Sequence, residues 1–130
     1  MQNKATEVDF TRVGVDLQVE IGDSFNLLAA YLASKDDLPG NLEEKNNSFY
    51  GEMFWVFYNT KLNSPAFVPL VRIENYERSN GDISFTDISL NLSYYVTQNV
   101  RLSVEYWSNL STPDGVDNNN RITAYFTLIM

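Results

Sequence analysis

Few side chains in this 130-residue chain are suited to covalent or acid–base chemistry. It has no His and no Cys. That removes the commonest general base, the commonest metal ligand, every Ser-His or Cys-His arrangement, and any disulfide or thiolate site. Paired carboxylates remain. Asp36-Asp37 and Glu43-Glu44 are adjacent acids in a polar stretch, where solvated surface charge is the plainer reading than hydrolysis. Asp114-Gly-Val-Asp117 offers oxygen ligands but lacks the spacing and closing Glu of a calcium loop, and reads as an ordinary loop. Arg72 and Glu74, two apart, share one side of a strand, where they would neutralise each other. The chain is read as a non-enzyme with no cofactor and no metal. A membrane-embedded hydrolase is a distant third reading, because such sites generally want Ser and His.

The element that must position these charges is the β-strand. From Val13 to Ile21 the odd positions are Val13, Val15, Leu17, Val19 and Ile21, and the even ones are Gly14, Asp16, Gln18 and Glu20. A period of two puts each set on one face of a strand; a helix would smear both around its circumference. The pattern recurs through Val71 and Ile73, through Ile88, Leu90 and Leu92, through Leu102 and Val104, and through Ile122, Phe126 and Leu128. The segments 25–34 and 49–60 carry apolar residues at both parities, so their faces stay unassigned.

About seven strands of about 10 to 14 residues result. Globular strands run about 5 to 6 residues, whereas a tilted membrane-crossing strand needs about 9 to 11. The turn at Gly22-Asp23-Ser24 and that at Thr97-Gln98-Asn99 are tight, and Lys61–Ala66 is short. Lys35–Asn47 and Ser108–Asn120 are long, and Arg78–Asp82 is a short exception among the long ones. Short turns alternating with longer loops are the pattern of outer-membrane barrels. All four lysines (Lys4, Lys35, Lys45, Lys61) are expected in tails, loops or turns.

Composition is consistent with this. The net charge is −8 with only 9 basic residues, scattered along the chain, which excludes nucleic acid as a partner. Aromatics reach 14%. Tyr31, Tyr58, Tyr76, Tyr94, Tyr106 and Phe126 stand near strand ends and suit interface girdles. No run of about 18 apolar residues forms a transmembrane helix. Residues 1–8 have no apolar core of a signal peptide, so the chain is read as mature or as a fragment.

The fold expected is all-β: an antiparallel transmembrane β-barrel segment, a meander of hairpins over residues 11–130 belonging to a larger barrel. Residues 1–10 would be a tail or the end of an outer loop. The lipid-facing set is Val13, Val15, Leu17, Val19, Val71, Ile73, Ile88, Leu90, Leu92, Leu102, Val104, Ile122, Phe126 and Leu128. The lumen-facing set is Arg12, Asp16, Glu20, Glu52, Arg72, Glu74, Asp87, Asn91, Arg101, Glu105 and Arg121. A basic residue on the lipid face at mid-membrane costs about 2–4 kcal/mol, so a one-residue slip of register is strongly disfavoured.

Three segments resemble the phosphate-selective porin-like family of bacterial outer-membrane channels: the hairpin Arg12-Val-Gly-Val-Asp-Leu-Gln-Val-Glu-Ile-Gly-Asp, the strand Phe67-Val-Pro-Leu-Val-Arg-Ile-Glu-Asn-Tyr, and the hairpin Leu90-Asn-Leu-Ser-Tyr-Tyr-Val-Thr-Gln-Asn-Val-Arg-Leu-Ser-Val-Glu-Tyr. The resemblance spans most of residues 11–130 through loose patterns. It implies a large antiparallel barrel in the outer membrane, often a homotrimer, passing small polar solutes across the lipid bilayer. Two departures stand out. The chain ends Phe126-Thr-Leu-Ile-Met130 rather than on an aromatic residue, and the lumen set is mixed and slightly acidic, so phosphate selectivity does not carry over. The expected function is passive diffusion of small hydrophilic solutes, the chain being the C-terminal part of the channel. The alternatives are a non-channel barrel of adhesin or assembly type, or a soluble β-barrel holding an apolar ligand.

Overall fold

The computed structural model describes residues 9–38, 42–60 and 64–128. They form one antiparallel sheet: β1 (Phe10–Ile21), β2 (Phe25–Leu38), β3 (Leu42–Trp55), β4 (Phe57–Asn59), β5 (Ser64–Arg78), β6 (Ile83–Thr97), β7 (Val100–Ser111) and β8 (Asn120–Leu128). Each long strand pairs with the next in sequence, giving the order β1-β2-β3-β5-β6-β7-β8, with β4 paired to β5. The fold is therefore all-β and a meander of hairpins. The sheet is open, since no pairing joins β1 to β8.

The strands are long, β5 and β6 reaching 15 residues each. Two expected loops are shorter than the sequence suggests. Lys35–Asn47 is largely strand: β2 runs on to Leu38 and β3 begins at Leu42, with Lys35 paired to Lys45 and Asp36 to Glu44. Lys35 and Lys45 are therefore strand residues; Lys4 and Lys61 lie outside the described residues. β7 likewise continues to Ser111 before the loop that leads to Asn120.

The segment expected as one strand over 49–60 is two, broken at Val56. The cause lies across the sheet. Pro69 has no N–H to give the ladder, and a proline within a sheet usually marks an edge or a bulge. The β3–β5 pairing stops at Phe54–Leu70, and β4 resumes at Phe57–Phe67 with an irregularity before Tyr58. Val56 N–H donates instead to Ser24 C=O at 2.6 Å. The tight β1–β2 turn uses Gly22 at φ 57, a conformation that favours glycine. At the opposite end, Ser79–Gly81 form a short 3-10 turn with Ser79, Asn80 and Gly81 all at positive φ. Ser79 N–H donates to Asn46 Oδ1, and Asn80 Nδ2 donates to Glu43 C=O, which holds this turn against the extended β2–β3 hairpin.

Register settles the faces, because directly paired residues share a side. Val19 pairs with Leu27, Leu27 with Met53, Met53 with Val71, Val71 with Leu90, Leu90 with Tyr106 and Tyr106 with Ile122. The odd positions of β2 and β3, ambiguous in sequence, thus join the apolar face. Among the described residues no apolar side chain is buried. On the apolar face Leu92 is 48% exposed and Val104 52%, whereas Ser93 and Ser103, their neighbours on the polar face, are 8% and 6% exposed. Side chains crowd on the concave side of a curved sheet and splay on the convex side. Ser89 is likewise buried on the polar face, and a hollow lies along that face from β5 to β8, so the sheet curls around its polar side there.

Candidate pore-lining face

The concave face is built from alternate residues of every long strand. Six paired positions cross it in one row: Gln18, Leu28, Glu52, Arg72, Ser89 and Trp107, with Arg121 following on β8. The next rows carry Asp16, Ala30, Tyr50, Glu74 and Asp87 on one side, and Glu20, Asn26, Phe54, Leu70, Asn91 and Glu105 on the other. Arg12 lies toward the β2–β3 hairpin, opposite Ser34, and Arg101 lies toward the tight turns, between Tyr95 and Thr127. All eleven residues expected to face the lumen therefore lie on this one face, and all fourteen expected to face lipid lie on the other.

The charges are mostly engaged. Arg72 Nε lies 3.2 Å from Glu74 Oε1. Glu52 accepts a hydrogen bond from the Tyr50 hydroxyl at 2.6 Å, and Glu20 accepts one from Gln18 at 2.8 Å. Arg121 reaches Glu105 at 4.0 Å and sits over the Trp107 ring at 5.6 Å. Arg12 sits over the Phe10 ring at 5.1 Å. Asp87 accepts a hydrogen bond from Asn109. Arg101 donates to Thr127 Oγ1 at 3.4 Å, while its Nε is buried with no acceptor. Ser93 and Ser103 share a hydrogen bond of 2.8 Å across β6 and β7. A trough of about 440 Å³ runs along this face, lined by Glu52, Arg72, Asn91, Tyr95, Arg101 and Glu105 among others. Pairs spaced this way position polar groups along a wall; no nucleophile–base pair is among them. No group of three or more His, Cys, Asp or Glu among the described residues is placed to hold a metal ion.

Sequence reasoning missed several residues here. Leu28, Leu32 and Phe54 stand on the polar face, in segments where both parities are apolar. Tyr76 also stands on this face, opposite Ser48 and Phe85, and so is not part of an outer girdle. The acids of the β2–β3 hairpin are not free. Lys35 Nζ lies 2.7 Å from Glu43 and 3.2 Å from Asp37, and Arg78 Nε lies 3.1 Å from Glu44. The bond to Glu43, then that to Asp37, holds the Lys35 ammonium above its usual pKa of 10.5.

The convex face carries an aromatic row at the tight-turn end. Phe25 meets Trp55 edge-on at 5.4 Å, Trp55 stacks on Phe57 at 6.2 Å, and Phe57 stacks on Phe67 at 4.9 Å. Phe67 pairs with Tyr94, Tyr94 with Leu102, and Leu102 with Phe126. The register is the same on both sides of Val56, so Phe57 falls on the side of Trp55 by simple alternation, and it shifts only between Phe57 and Tyr58. Tyr58 stands outside it, its hydroxyl reaching the Asp23 carbonyl at 3.2 Å. Tyr31 and Phe49 pair on the same face farther from the tight turns, and Tyr106 pairs with Ile122. Comparison with family models, with curated proteins and with solved structures finds no match for this chain.

Proposed function

We propose that this sheet is part of the wall of a porin-like channel in a bacterial outer membrane, through which small hydrophilic solutes diffuse passively. One observation carries the reading: the apolar face is convex and exposed, while the charged and hydroxyl-bearing face is concave. A soluble barrel has the opposite arrangement, with its apolar residues turned inward. An exposed apolar surface this extensive is a liability in water and the ordinary wall of a barrel in lipid. The aromatic row at the tight-turn end suits the boundary between hydrocarbon and headgroups.

Within this reading the lumen wall carries a mixed set of charges in adjacent rows, Glu52, Arg72, Glu74, Asp87 and Glu105, with Arg101 and Arg121. Acids and arginines side by side attract water and polar solutes without a single dominant sign. The wall passes solute and performs no catalysis. Conductance of the natural protein in planar bilayers tests this. Stepwise openings are expected, and a protein that inserts yet shows no steps at any voltage overturns the channel reading. A protein that stays monodisperse in buffer without detergent overturns the membrane reading itself.

A further inference from the structure

The hollow on the concave face is uneven in its chemistry. Its floor is made of small polar residues on β6 and β7: Ser89, Asn91, Ser93 and Ser103. The three serines are buried. Short side chains here leave a depression that longer neighbours frame. On the β3–β5 side that frame is apolar. Phe54 pairs with Leu70, and Val68 stands two residues from Leu70 on the same face of β5. All three line the hollow and are half-buried. Apolar groups beside water gain by covering an apolar part of a solute.

The charged groups of the hollow differ in how they are satisfied. Glu52 accepts from the Tyr50 hydroxyl, Arg72 pairs with Glu74, and Glu105 with Arg121. Arg101 has no carboxylate partner among the described residues. It donates to Thr127 Oγ1 at 3.4 Å, and its Nε is buried with no acceptor. A half-buried guanidinium without a counter-ion is costly to hold, and an arriving carboxylate relieves that cost through charge-assisted hydrogen bonds. The acids already have donors, so the unmet demand is for an anion. Leu70 pairs with Asn91 and Asn91 with Glu105, and Arg101 lies four residues along β7 from Glu105. The guanidinium and the apolar side therefore stand at opposite ends of a diagonal across the serine floor.

We infer that the hollow is a binding subsite for small, elongated monocarboxylates with an apolar body. The carboxylate sits on the Arg101 guanidinium and the body lies toward Leu70 and Phe54. A bare inorganic anion engages only the first of these features, and a neutral solute of the same shape only the second. The inference rests on the channel reading, in which this face is part of the solute's path.

Calorimetric titration of the natural protein in micelles, with empty micelles subtracted, tests it. The probes are 3-phenylpropanoate, its neutral amide 3-phenylpropanamide, acetate and inorganic phosphate. Saturable binding of 3-phenylpropanoate is expected, at least about tenfold tighter than the other three, since two features act together. Arg101→Gln is expected to abolish the preference for the acid over its amide. Leu70→Asn is expected to bring 3-phenylpropanoate down toward acetate. Equal binding of acid and amide, phosphate binding as tightly as 3-phenylpropanoate, or an acid preference that survives Arg101→Gln overturns the inference. The comparison of probes on the unaltered protein decides the matter even if a variant does not fold. Conductance steps without preference for the acid defeat this inference and leave the channel standing. Preferential binding in a protein that never conducts defeats the channel and leaves the site, so the two failures are distinct.

Discussion

Ser93 and Ser103 face each other across β6 and β7 with their hydroxyl oxygens 2.8 Å apart, and the next residues along those strands, Leu92 and Val104, pair on the opposite face. The serines are the sheltered pair and the aliphatic residues the exposed one. This inversion predicts an uneven mutational response. Ser93 also donates to Asn91 Oδ1 at 3.1 Å, so Ser103→Ala leaves it bonded and costs little; Ser93→Ala takes from Ser103 its partner and costs about 1–3 kcal/mol, whereas Ser93→Ala with Ser103→Ala is closer to neutral. Denaturant titration of the folded barrel in lipid or micelles, read as a double-mutant cycle, measures both.

Arginine placed on either side of β6 separates the faces. Leu90→Arg sends a guanidinium outward in the apolar belt and is expected to cost about 2–4 kcal/mol. Asn91→Arg, one residue away, points into the trough among Glu52 and Glu105 and is expected to cost far less. Folding yield into vesicles, followed by protease protection, gives the comparison; equal losses would mean the faces are not inside and outside.

Much of the fold was legible in sequence because the clean strands keep one parity apolar and exposed throughout. Val13 through Ile21 and Ile88 through Leu92 needed only a period of two. β2 and β3 were not legible, because Leu28, Leu32 and Phe54 occupy the concave side, Leu28 and Phe54 half-buried there and Leu32 exposed, so both parities of these segments are apolar. The break at Val56 was hidden for another reason: Pro69, which has no N–H for the ladder, lies on the partner strand just past the last β3–β5 pair. The charged hairpin around Lys35 read as a loop because its outward side is polar, yet the ladder continues through it.

Gly22 is the tight turn's conformational requirement, at φ 57. Nothing crowds a side chain there, so Gly22→Val isolates backbone strain. It is expected to cost about 1–2 kcal/mol. Gly22→Asn is expected to cost less, since Asn tolerates the left-handed region. Denaturant midpoints of the two variants provide the check.

The Lys35 ammonium, beyond the apolar belt, gains Glu43 and Asp37 on folding, which raises its pKa. A group raised in this way adds stability that is fully present below its unfolded value near 10.5 and is lost as pH rises through the folded value. The contribution is small, because the pair is exposed. Titration of the Lys35 side-chain resonances by NMR is expected to give a midpoint above that of a free lysine, and Glu43→Gln with Asp37→Asn is expected to restore the ordinary one.

On the proposed function the convex apolar face meets lipid and the concave face meets water, and the two tryptophans report one on each. Trp55 stands in the aromatic row and Trp107 stands between Ser89 and Arg121. The direct measurement is fluorescence of the natural protein in vesicles of brominated-chain lipids, with Trp55 or Trp107 as the sole tryptophan. Strong quenching of Trp55 by the brominated chains is expected, with Trp107 quenched by aqueous iodide but not by the lipid. Bromine quenching of Trp107 with Trp55 spared, or of neither, would contradict it.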